Sequence, residues 1–216
     1  MHKKTYKIII WLTLISVIYA IIRYHGFKGV PIAYFIDVFN KGIALAAILL
    51  IALSLSIGPL GRRFPKKFGQ LDRGKRLFGI WGFILSFFHT LLSLLYFQPN
   101  HYAKFFSFLK INALGEYILM TGFISLILVG AAFITSFPLI YPFTRKTFFL
   151  SQFAGYIGCI FAGLHVFPIG INHWFSISSW PGYMMPITFI SFISVIITVL
   201  FRTFSTFLTS YQKGNS

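Results

Sequence analysis

The chain has 216 residues, 57% of them hydrophobic and only 10% charged, and its acids number three: Asp37, Asp72 and Glu116. A soluble domain of this size carries more charge on its exterior, so lipid must solvate much of the surface. The net charge of +16 does not point to nucleic acid, because the basic residues sit between apolar runs rather than along a soluble stripe.

In chain order, the first apolar run gives a span over about Lys7–Tyr24, with Lys7 and Arg23 placed to snorkel to the two interfaces. The preceding MHKKTYK looks like the start of a secretory signal, but no small-residue cleavage site follows it, so a retained first helix is expected. His25 to Asn40, with Gly26, Gly29, Pro31 and Asp37, reads as an outer loop. A second span over Lys41–Leu60 is expected to end in the turn GPLGRRFP. A basic loop then follows over Gly61–Arg76, holding Arg62, Arg63, Lys66, Lys67, Arg73, Lys75 and Arg76. The third span, Leu77–Phe97, is broken by Pro99 and Asn100. The fourth, Glu116–Ser136, is closed by Pro138 and Pro142 ahead of a turn at Arg145 and Lys146. Residues 147–201 carry no formal charge and are too long for one helix, so Pro168, Gly170, Asn172, Pro181 and Pro186 divide them into spans Phe148–Phe167 and Met184–Thr203. The expected fold is all-α: one transmembrane domain over residues 1–216, a six-helix bundle in a lipid bilayer. The lone Cys159 reads as a small buried hydrophobe and excludes an intramolecular disulfide.

Six spans put both termini on one side. With the termini inside, Lys3, Lys4, Lys7, the seven basic residues of the second loop, Arg145, Lys146, Arg202 and Lys213 lie inside, against Arg23, Lys28, Lys41, Lys104 and Lys110 outside. The positive-inside rule therefore predicts cytoplasmic termini in a cell (inner) membrane protein.

Of the six histidines, only His89 and His165 fall within spans. An ionisable group inside a membrane is costly and faces the bundle interior, so each is a candidate functional residue. Both helices run from inside to outside. His89 sits roughly 12 Å and His165 roughly 5 Å from the outer helix ends at 1.5 Å per residue, so both belong to the outer leaflet. Two neutral imidazoles on different helices suit the two axial positions of a porphyrin iron, and a hydrogen bond to a neighbouring helix is the competing role. Gly79, Gly82, Gly155, Gly158 and Gly163 are candidates to make room for a flat cofactor; close helix packing is their alternative role. His25, His101 and His173 are conceivable as a surface metal site. Trp174, Trp180 and Tyr183 read as an interfacial belt, and Glu116 as an acid favouring a helix N-terminus.

The stretch RGKRLFGIWGFILSFFHTLL follows a span ending in GPLGRR and precedes ITSFP and GYIGCIFAGLHVF. In that order, over about Gly42–Phe167, it resembles the ferric-reductase-like transmembrane domain. That family includes the membrane cores of ferric reductases and NADPH oxidases, and the haem-binding subunit of bacterial periplasmic methionine sulfoxide reductase. The resemblance implies a six-helix bundle binding haem b between the third and fifth helices, with His89 and His165 as axial ligands. Relatives with two haems carry a further histidine on each ligand helix. The matching inner positions here are Arg76 and Gln152, so one bis-histidine haem is expected.

A bis-histidine haem favours one-electron transfer. No Gly-rich dinucleotide fingerprint accompanies it, so a donor must come from elsewhere: membrane quinol, or an external flavoprotein docking on the basic loop. Quinol fits an outer-leaflet haem better. Arg73, Arg76 and Trp81 read as interface anchors that a donor can also use. The acceptor is expected at the outer face. The rival reading is a small transporter or channel without haem, lined by His89 with Ser86 and Thr90, or by Gln152 with Ser151.

Overall fold

The computed structural model describes residues 3–137 and 148–214, leaving aside the side chains of 62, 73, 148–151 and 206–214. The expected closing residues Pro138 and Pro142 and the turn at Arg145 and Lys146 lie outside the described residues, as do the side chains of Arg62, Arg73, Ser151 and Lys213. The described residues include six long helices: α1 Lys3–Ile21, α2 Phe35–Arg63, α3 Pro65–Leu95, α4 Ala113–Ile134, α5 Phe148–Trp174 and α6 Ile187–Gly214. Six segments are long and apolar enough to cross a bilayer, as expected for a multi-pass membrane protein. Two-residue strands β1 Phe106–Ser107 and β2 Lys110–Ile111 make a small antiparallel hairpin between α3 and α4.

Several helices run further than the sequence suggests. The outer loop expected up to Asn40 is shorter: a π-helical turn Ile22–Phe27 extends α1, and α2 begins at Phe35, with Asp37 in its first turn where an acid is favoured. The basic stretch 61–76 is not a loop. Pro59 lies inside α2, and Phe64 alone separates α2 from α3, whose first residue is Pro65, a position where a missing N–H costs nothing. α5 likewise continues through Pro168 to Trp174. Within a membrane, neighbouring helices can support a proline that would stop a solvated helix. Trp174 is therefore not part of an interfacial belt. It is 3% exposed, packs on Phe167, Phe189 and Phe192, and donates its indole N–H to Thr188 Oγ1 at 3.0 Å. α4 starts as expected, with Glu116 in its first turn and Asn112 accepting from the Gly115 amide at 2.9 Å.

Two three-helix layers result, α1–α2–α3 and α4–α5–α6. They are joined chiefly where α2 meets α6 and to a lesser extent where α3 meets α4 and α2 meets α5. α2 is the most enclosed helix: Ala46 and Leu50 have no exposed surface. Its partner face carries Asn40, Ala47, Ser54 and Gly61, one every seven residues, and this small or polar seam lets antiparallel α3 come close. Ile48, Ile51, Val129, Cys159 and Val195 fill the centre between the layers, which confirms Cys159 as a buried hydrophobe.

Candidate functional site

The seam between α2 and α3 ends at Asn40. Its side-chain oxygen lies 2.9 Å from His89 Nδ1, and its amide nitrogen donates to Ser93 Oγ, also at 2.9 Å. On the other layer, His165 Nδ1 lies 2.9 Å from the carbonyl oxygen of Ile118. A carbonyl oxygen can only accept, so in both rings the hydrogen resides on Nδ1 and Nε2 presents a lone pair. Neither Nε2 makes a hydrogen bond among the described residues. Asn40 and Ile118 each stand five residues beyond the first residue of their helix, and both helices start at the end of the bundle opposite the termini. Both histidines are thus held toward the end of the bundle opposite the termini.

The two imidazoles are near enough for charge on one to be felt at the other, and both are half-buried. Yet α3 packs chiefly on α2, α5 packs on α4 and α6, and α3 and α5 have no substantial backbone contact. This donor set fits a metal centre needing two neutral imidazole nitrogens: each ring is locked by an oxygen behind it, the arrangement that orients histidine ligands and raises their basicity.

No family model matches the chain, and no curated protein matches it.

The expected glycines stand where helices meet. A Cβ on Gly82 would stand 2.7 Å from Ile51 Cγ1 and 3.1 Å from the Ile51 amide nitrogen, and one on Gly79 would stand 3.0 Å from Ser54 Oγ. Both therefore serve the approach of α3 to α2. Gly158 does the same for α5 on α4, where a Cβ would be 2.8 Å from Val129 Cγ2 and where Ser125 Oγ donates to the Gly158 carbonyl at 2.8 Å. Gly163 faces Val195 of α6, and Gly155 makes only ordinary contact distances. The glycine that does accommodate a histidine is Gly122, where a Cβ would stand 3.0 Å from His165 Nδ1 and 3.2 Å from Cε1.

Around His89 a polar layer leads outward. Tyr102 projects its hydroxyl toward Asn40 and Ser93, and burial with the nearby Asp37 carboxylate pushes its pKa up to about 12, so it remains a hydrogen-bond donor. Asp37 in turn lies 3.1 Å from His101 Nδ1, and His101 is held edge-on between the rings of Tyr34 and Tyr96. His25 instead meets the Val30 carbonyl and stacks on Phe35, and His173 is exposed at the end of α5. The three surface histidines therefore have separate environments, and no cluster of three metal-binding side chains occurs among the described residues.

At the terminus end, a cavity of about 90 Å³ is lined by Ser54, Arg76, Gly79, Phe133 and Gly155, among others, and contains no histidine. Arg76 lies over the Phe137 ring at 5.9 Å, exposed Gln152 meets Arg202, and Trp81 is 37% exposed on the lipid-facing side of α3.

Asn40, Ser93, Tyr102 and Gly122 do not stand out in the sequence as site residues. The signal for Asn40 was available, since an asparagine seven residues before Ala47 and fourteen before Ser54 continues a small-residue seam.

Proposed function

We propose that this chain is a haem b-binding integral membrane electron-transfer protein of the ferric-reductase-like kind, with His89 and His165 as the axial ligands. The observation that carries the reading is the matched pair of imidazoles from separate layers, each fixed through Nδ1 by an oxygen acceptor and each presenting Nε2. A haem held by two histidines supplies one-electron transfer without an open coordination position. The chain's own residues do the rest. Asn40, braced by Ser93, and the Ile118 carbonyl hold both rings in the tautomer a ligand needs, and Gly122 leaves room for the His165 ring. The central apolar cluster keeps water away from the space between the layers.

In this reading the termini are cytoplasmic in the inner membrane. Electrons arrive from quinol or an external flavoprotein and leave toward an acceptor at the face opposite the termini. The transporter alternative has less support, because Ser86 and Thr90 bond back to the Gly82 and Ser86 carbonyls of their own helix. The cluster of Ile48, Ile51, Val129, Cys159 and Val195 also separates the polar layer around Asn40 from the cavity around Ser54 and Arg76.

The deciding experiment is a visible spectrum of the protein purified from haem-replete cells. A sharp Soret band is expected, lost in both His89→Ala and His165→Ala. A folded, colourless wild type refutes the assignment.

A further inference from the structure

We propose that the far end of α1 and the start of α2 form a binding site for the phosphate of a membrane phospholipid headgroup. Among the described residues, two buried side-chain nitrogens lack any hydrogen-bond partner, Arg23 Nε and His25 Nε2, and both belong to the π-helical turn Ile22–Phe27. Arg23 is 6% exposed. Its Nη1 donates to the Met184 carbonyl, and no carboxylate pairs with its guanidinium among the described residues. A buried charge of this kind is strongly destabilising until an anion faces it, and the Nε side of the guanidinium fork is the part left to receive one.

Two more cations lie around the neighbouring tyrosine ring. Arg23 Cζ, Lys28 Nζ and Lys41 Nζ lie 5.7, 5.6 and 5.3 Å from the centroid of the Tyr24 ring. Lys28 and Lys41 are close enough to repel each other. The neighbouring acid, Asp37, pairs with His101, attracts Lys41 more strongly than Lys28 repels it, and accepts from Lys41 Nζ through its backbone carbonyl at 3.4 Å. One carboxylate among three cations still leaves positive charge in excess here, although cations are scarce at this end of the bundle. The three are also graded in depth, Lys28 exposed, Lys41 half-buried and Arg23 buried, so an oxyanion entering from the surface meets all of them in turn.

The flank of α1 selects a lipid over a free anion. Ile15, Ile18 and Ile22 share one side of the helix and are 60, 51 and 45% exposed, forming an apolar stripe that ends at the cationic corner. A phospholipid matches that order, with its acyl chain along the stripe and its phosphate against Arg23, Lys41 and Lys28.

The test uses the full-length chain in mild detergent, loaded with phosphatidylglycerol and read by native mass spectrometry after detergent washing. Wild type is expected to retain bound lipid, and Arg23→Gln and the double variant Lys28→Gln/Lys41→Gln to retain roughly tenfold less, the loss expected for charge-assisted contacts to phosphate. Should Arg23→Gln fail to fold, the double variant alters only half-buried and exposed positions and decides the matter. Equal retention by wild type and the double variant overturns the proposal. So does a wild type whose melting temperature rises with millimolar inorganic phosphate while it retains no lipid, because the site then serves a soluble anion. Haem content plays no part in this readout, so its outcome is independent of the axial-ligand assignment.

Discussion

Replacing Asn40 with leucine removes the acceptor behind His89 while keeping a side chain of similar size. In the native arrangement the Asn40 amide spans two contacts of 2.9 Å, accepting from His89 Nδ1 and donating to Ser93 Oγ. Asn40 itself is 3% exposed, so water cannot take its place, and leaving the His89 Nδ1–H unsatisfied costs about 1–3 kcal/mol. The imidazole can escape that penalty by rotating or by moving its proton to Nε2, and either change withdraws the lone pair offered to a metal. Loss of such a supporting hydrogen bond lowers metal-centre affinity by about 10–100-fold. The assay is haem content per chain by pyridine haemochrome, with the Soret position and a reductive titration on the fraction that stays loaded. Asn40→Leu should fold, lose most of its haem on dilution and shift the midpoint potential of the remainder. Wild-type haem content, spectrum and potential in Asn40→Leu would refute the claim that Asn40 positions a ligand.

Gly122→Ala pushes a methyl group to within 3.0 Å of His165 Nδ1, so the ring must yield by a few tenths of an ångström and its bond to the Ile118 carbonyl lengthens. Haem retention should fall roughly tenfold with helicity by circular dichroism unchanged, and unaltered retention counts against Gly122 as the residue that seats His165. Gly82→Val is a test of packing: its Cβ would meet Ile51 and the Ala47 carbonyl, forcing α3 off α2 at a cost of about 1–3 kcal/mol. The expected result is a lowered melting temperature for apo and loaded protein alike, whereas a loss confined to haem binding would restore Gly82 to the cofactor's surroundings.

The six helices were legible because apolar runs of spanning length leave few alternatives, and His89 and His165 stood out as the ionisable groups within such runs. What surrounds them was harder to read. Gly26, Gly29, Pro31 and Asp37 suggest irregular chain up to Lys41 and so place Asn40 in a loop, whereas α2 begins at Phe35 and Asp37 sits in its favoured first turn. In the sequence Pro59 and Pro168 read as stops, but flanking helices let α2 and α5 continue through them. The direction a glycine faces depends on helix rotation, which a one-dimensional pattern leaves open. Gly82 lies two turns from His89 on α3 and opens onto Ile51 of α2. Gly122 belongs to α4, a helix without a histidine, so nothing in its own span drew attention to it.

The passage of α5 through Pro168 has a mechanical meaning. Proline cannot donate to the carbonyl four residues earlier, so the turn containing Leu164 and His165 lacks one of its helical hydrogen bonds, while α3 runs from Pro65 to Leu95 with no proline after its first residue. The two histidines consequently stand on supports of unequal stiffness. His89 is carried by a rod clamped along α2, His165 by a helix able to flex where it is weakest. A change in the spacing between the two rings would be absorbed on the His165 side.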